Sequence, residues 1–157
     1  MRDDVEAVMS AARVLVAVTA RSVAAVEDLV TLSQLRVLVM VASRTAPNLG
    51  AVATGLGVHP SNATRAVDRL VTAGLLNRRD DPTDRRNLVL GLTHDGRELV
   101  EQVMDQRREA IATILERMPT GRRRSLVPVM RAFAEAAGEA ADDDAAWFLG
   151  WTTPPVP

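Results

Sequence analysis

"LGAVATGLGVHPSNATRAVDRL", residues 49–70, sets two short amphipathic patterns on either side of a glycine. The first predicts a helix from Asn48 to Leu56. Gly57 and Val58 make a tight turn, and a second helix runs from Pro60 to Thr72. His59 stands at its N-cap and Pro60 at the favoured first position. Gly74 closes it as a C-cap. Small Ala53 allows the two helices to approach closely, while Val52, Leu56, Val58, Ala63, Ala66 and Leu70 are the expected shared core. This is the grammar of a helix-turn-helix.

A helical wheel sharpens it. Turning Ala63, Ala66, Val67 and Leu70 inward leaves Ser61, Arg65, Asp68 and Thr72 outward, with Asn62 and Arg69 on one flank and Thr64 on the other. A solvated face is the plainer account. Short polar donors and arginines toward the N-terminal half are also what a helix needs to reach base edges in a major groove.

The chain continues into "LLNRR" and "NLVLGL", two strand-like runs around "DDPTDRR", hence a hairpin. A two-stranded wing beside a recognition helix lies over the adjacent minor groove, whose negative potential attracts arginine. Arg85 and Arg86 sit on its tip, and Asp84 can aim the Arg86 guanidinium through a bidentate pair.

Charge follows the same division. Residues 33–97 hold nine arginines against five acids, whereas residues 1–32 hold three against five and residues 98–157 seven against ten. A basic middle between acidic flanks suits a chain that meets a polyanion only there. All 19 cations are arginine, planar forks suited to phosphates and base edges.

Outside this region, Val5, Met9, Ala12, Val16, Thr19, Val23, Val26 and Val30 repeat at steps of four and three. They predict a long helix over residues 3–30, widened by Val8, Leu15 and Leu29, with more apolar face than one neighbour can cover. "TLSQLRVLVMVASR" reads as a helix capped by Ser33, and Arg36 near its start is a candidate phosphate contact. Thr93 caps a long helix to about Met118. Thr120 caps a last one to about Ala140, kinked by Pro128. "GRRRS", residues 121–125, reads as a solvated face. The tail "DDDAAWFLGWTTPPVP" holds three of the four aromatic residues and is expected to dock on its own or a partner subunit.

Several classes are excluded or disfavoured. With no cysteine there is no disulfide, thiol sensor or cysteine nucleophile, and only His59 and His94 could offer imidazole to a metal. No nucleophile-base-orienter trio or Gly-rich phosphate loop points to an enzyme, and no cofactor is expected. No uninterrupted apolar run approaches the roughly 18 residues of a membrane span, and the N-terminus lacks a secretory pattern, so a cytoplasmic protein is expected.

From about residue 30 to 118 the chain resembles the MarR (multiple antibiotic resistance regulator) family of bacterial transcription factors. "NATRAVDRLVTAGLL", "RRDDPTDRR" and "LTHDGRELV" carry the resemblance, in that order. It implies a mainly α fold with a small β wing: a winged helix-turn-helix over 33–93, dimerisation helices over 3–30 and 94–140, and a tail over 141–157. It also implies a homodimer on a pseudopalindromic stretch of double-stranded DNA, with Arg86 in the minor groove oriented by Asp84. Arg85, Ser33, Arg36, Ser61, Asn62, Thr64, Arg65 and Arg69 are then groove or phosphate contacts. Family members respond to thiol oxidants, metals or small aromatic and lipophilic compounds. The composition leaves an organic effector, with no binding residue identified. The competing reading is a winged-helix module that binds protein without DNA, for which outward Arg65, Arg69 and Arg86 would have no use.

Overall fold

The computed structural model describes residues 1–43, 48–80 and 88–137. In chain order these form α1 (Arg2–Ala24), α2 (Leu32–Ala42), α3 (Leu49–Leu56), α4 (Pro60–Thr72), β1 (Leu76–Asp80), β2 (Leu88–Leu92), α5 (His94–Glu116), α6 (Thr120–Arg123) and α7 (Leu126–Ala136). The fold is mainly helical with one two-stranded antiparallel sheet, as expected. Its register pairs Leu76 with Leu92 and Asp80 with Leu88. The wing tip with Asp84, Arg85 and Arg86, and the tail from 141, lie outside the described residues.

The core gathers where α2, α3, α4, the sheet and the first half of α5 meet. Leu35, Val37, Leu38, Val52, Ala63, Val67 and Leu70 are fully buried there. Both glycines of the predicted turns have positive φ, 65° at Gly57 and 72° at Gly74. Each stands in a Schellman motif. Val58 N donates to Ala53 O and Gly57 N to Thr54 O, while Leu75 N donates to Leu70 O and Gly74 N to Val71 O. Two chain reversals are thereby fixed on either side of α4. Val58, expected in the core, is instead exposed. Its amide completes the first motif, and its side chain turns outward before the extended His59.

Other expectations are corrected at element ends. Ser33 does not cap α2; Thr31 does. Thr31 Oγ1 accepts from Gln34 N at 3.3 Å while Thr31 N donates to Gln34 Oε1 at 2.8 Å, a capping box. α1 ends at Ala24 rather than residue 30, and three-residue turns carry the chain on, with Val26 and Val30 still buried. Pro119, not Thr120, occupies the N-cap of α6. The last helix is broken rather than kinked. α6 and α7 are separated at Arg124 and Ser125, and Arg124 is the residue whose carbonyl the Pro128 ring would strike in a continuous helix.

α1 is 23 residues long with a mean hydropathy of 1.5 over its most apolar window, so by length and composition it could cross a membrane. Arg13 and Arg21 interrupt it, so it contains no uninterrupted apolar run of that length. In the fold, α1 packs along α5 through a polar link. Arg107 Nε donates to Ser22 Oγ at 2.6 Å, and Ser22 Oγ donates to Thr19 O at 2.8 Å. Arg107 is 1% exposed, and burial lowers its pKa to about 10, still well above neutrality, so the guanidinium stays charged.

Candidate nucleic-acid interface

α4 presents the face that the wheel predicts. Ala63, Val67 and Leu70 are buried and Ala66 is half-buried, whereas Ser61, Asn62, Arg65, Asp68, Arg69 and Thr72 are exposed and Thr64 is intermediate. The helix is rigid where it begins. His59 Nδ1 accepts from Ser61 N at 3.3 Å and lies 2.9 Å from Ser61 Oγ, so imidazole acts as the cap in the tautomer protonated on Nε2. Thr64 Oγ1 donates to Pro60 O at 2.9 Å. Ser61 and Thr64 are thus engaged locally, while Asn62, Arg65 and Arg69 project without such ties among the described residues.

The base of the wing is pinned on two sides. Asp68 of α4 pairs with Arg78 of β1, a contact that neither residue's neighbours in sequence announce. On the other side Thr93, the N-cap of α5, accepts from Gly96 N at 3.0 Å and donates to Gly74 O at 2.6 Å. Gly96 is required there, since a Cβ would lie 2.0 Å from Leu75 O. The glycine in "LTHDGRELV" is therefore a packing residue. It lets the start of α5 rest on the turn between α4 and β1.

The α2 candidates fare differently. Ser33 is exposed and caps nothing. Arg36 is half-buried, and its guanidinium donates to Gly55 O at 3.3 Å, bridging α2 to the last turn of α3. Arg65, Arg69, Arg78 and Arg79 are exposed on α4 and β1. Among the described residues, no group of three or more His, Asp or Glu is placed to hold a metal ion.

A helix-turn-helix followed by a wing, framed by long helices at both ends, defines a winged helix-turn-helix regulator fold. The chain belongs to the MarR family, whose model matches residues 30–88. The protein RV1404 of Mycobacterium tuberculosis is 44% identical and superposes with a TM-score of 0.73, covering 88% of this chain and 95% of that one. YhbI of Bacillus subtilis, an uncharacterised HTH-type transcriptional regulator, is 35% identical over 72 residues, 46% of this chain and 47% of its own. The chain thus spans about half the length of that curated relative. A MepR mutant of S. aureus bound to an oligodeoxyribonucleotide is 16% identical with a TM-score of 0.58, over 87% of this chain and 97% of that one. That likeness speaks for the fold alone.

Proposed function

We propose that this chain is a sequence-specific, DNA-binding transcriptional regulator, not an enzyme, acting in the cytoplasm. It is a homodimeric repressor of a pseudopalindromic operator, released by a small organic effector. The observation that carries the reading is α4. Its inner face is locked into the core, while Asn62, Arg65 and Arg69 stand outward beside a wing whose base is fixed to the same helix. The names of the curated relatives support it.

Dimerisation is supported by what α1 and α7 leave uncovered. Val5, Met9 and Val16 are 52%, 51% and 67% exposed, and Val127 and Phe133 are 64% and 49% exposed. Such a surface calls for a second copy, with residues 3–30 and 94–140 as the joining elements. Two α4 helices on a two-fold axis would then enter successive major grooves, with half-sites about 10–10.5 bp apart or a multiple.

Selection from random duplexes with purified protein tests sequence specificity, and fluorescence anisotropy at two salt concentrations tests the wing. Arg86→Ala should cost about 1–3 kcal/mol and relax preference for A·T pairs beside each half-site. Arg85→Ala should cost less, act alike on all sequences and mainly reduce the salt slope. Asp84→Ala should weaken binding despite removing a negative charge, because the Arg86 guanidinium loses its orienter. Tighter binding by Asp84→Ala, or equal losses at the two arginines, would reduce the tip to a solvated turn.

A further inference from the structure

The direction of two hydrogen bonds on α4 limits what its hydroxyl groups can read. His59 Nδ1 accepts from Ser61 N at 3.3 Å and stands 2.9 Å from Ser61 Oγ. A backbone amide can only donate, so Nδ1 carries a lone pair and no hydrogen, and of the two side chains only the hydroxyl can donate between them. Ser61 Oγ therefore spends its one proton on His59 and keeps only lone pairs to offer. Thr64 does likewise, donating from Oγ1 to Pro60 O at 2.9 Å. Phosphate oxygens, guanine O6 and thymine O4 are acceptors, and a hydroxyl without a free proton gains no hydrogen bond from them. What remains for it are the amino groups of the major groove, N6 of adenine and N4 of cytosine.

Ser61 is the better placed of the two. It is exposed on the outward ridge of α4, whereas Thr64 is half-buried on the flank. Exposed Arg65 follows Ser61 by four residues, about 40° around the axis and about 6 Å along it, so both meet the same stretch of groove. Their polarities are opposite. Arg65 offers donors only, which suits guanine O6 and N7. Resting on the DNA-binding reading above, we propose that His59 is a positioning residue for base recognition, acting through Ser61. By holding the hydroxyl proton it makes Ser61 an acceptor-only reader. Each half-site then holds, at one position of one strand, adenine or cytosine in preference to guanine or thymine. Adenine and cytosine are equivalent there, because the group being read is an amino group in both.

Selection from random duplexes with the wild-type protein supplies the site, and a parallel selection with Ser61→Ala marks the position that Ser61 reads. That position should hold adenine or cytosine in the wild-type pool and all four bases in the Ser61→Ala pool. His59→Phe keeps a ring but lacks Nδ1, frees the hydroxyl proton, and should lose the bias as well. His59→Asn keeps a side-chain acceptor at the cap and should retain it. In anisotropy, guanine in place of adenine at that position of one half-site should weaken wild-type binding about three- to tenfold, the range of one hydrogen bond, and His59→Phe binding less than about twofold. A cap that served stability alone would lower the melting temperature of His59→Phe and leave base preference untouched. If His59→Phe does not fold, a duplex carrying purine in place of adenine, which lacks only the amino group, gives the test with unaltered protein. The wild type should lose about the same three- to tenfold on it, and Ser61→Ala nothing. A pool with no enriched sequence overturns the DNA-binding reading together with this one. An enriched site without such a position, a bias that survives His59→Phe, or indifference of the wild type to purine overturns this inference alone.

Discussion

The helix-turn-helix with its wing and the two chain ends solve opposite problems with similar amino acids. In the first, Leu35, Leu38, Val52, Val67 and Leu70 pack into one cluster and lose nearly all contact with solvent. In the second, α1 and α7 carry as much valine, leucine and methionine yet leave most of it at the surface. Apolar residues recur at helical spacing in both. The difference is closure: α2, α3, α4 and the sheet turn back on one another through short glycine-fixed reversals, whereas α1 packs mainly on one neighbour, α5. The first region closes its core on itself and on the first half of α5. The second has the character of half an interface.

The largest effect should come from breaching that core. Leu70→Ala should cost about 2–5 kcal/mol, because a fully buried side chain leaves a cavity between α4 and its neighbours. Thermal unfolding should show it, with much the same loss when protein concentration is raised tenfold. Val16→Asp is the contrasting lesion, since Val16 is 67% exposed in the single chain. It should leave the core intact, yet sedimentation equilibrium should fall from about twice 16.9 kDa to one chain mass. If Val16→Asp leaves the assembly unchanged, the exposed stripe of α1 is not the interface.

The next effect tests the seam between the two regions. Ser22 and Arg107 are 85 residues apart and form the buried link by which α1 holds α5. Ser22→Ala removes an acceptor from a buried guanidinium and should cost about 1–3 kcal/mol, read as a lower midpoint in urea. Arg107→Met should cost less than that, since an apolar chain of similar length leaves no buried charge to satisfy. An Arg107→Met loss exceeding that of Ser22→Ala would give the guanidinium a role beyond this seam.

What the sequence made legible follows the same line. The inward and outward faces of α4, the Gly57 turn, the His59 and Thr93 caps and both strands were readable, because each depends on residues within about four positions. The Thr31 cap is legible too, because a threonine three residues before Gln34 is a capping-box signature, whereas Ser33 has no Glu or Gln at that spacing. Val58 was misplaced because its apolar character says nothing about an amide already committed to a Schellman motif. The Ser22–Arg107 and Asp68–Arg78 contacts were not readable. They join elements whose relative placement is set by the whole core, and arginine at either position reads as ordinary surface charge. Pro128 announced a disturbance, but whether a helix bends or breaks depends on the residues four before it.

The smallest effect concerns the pair Asp68–Arg78, where stability and binding should part company. Both side chains keep substantial solvent contact, at 52% and 30% exposure. A pair of that kind contributes about 0.2–1 kcal/mol at most. Asp68→Asn should therefore lower the melting temperature barely measurably. Its effect on DNA should be larger and of opposite sign to that of Asp84→Ala. Asp68 stands on the outward face of α4, so removing its charge lessens repulsion of phosphates and releases Arg78 from its internal partner. At low salt the operator affinity should rise, by less than about tenfold, and the gain should shrink as salt screens it. If affinity falls instead, the pair is not an incidental surface contact. It would then be the brace that sets the wing against the recognition helix, and Asn, which keeps the shape but not the charge, would have failed to replace it.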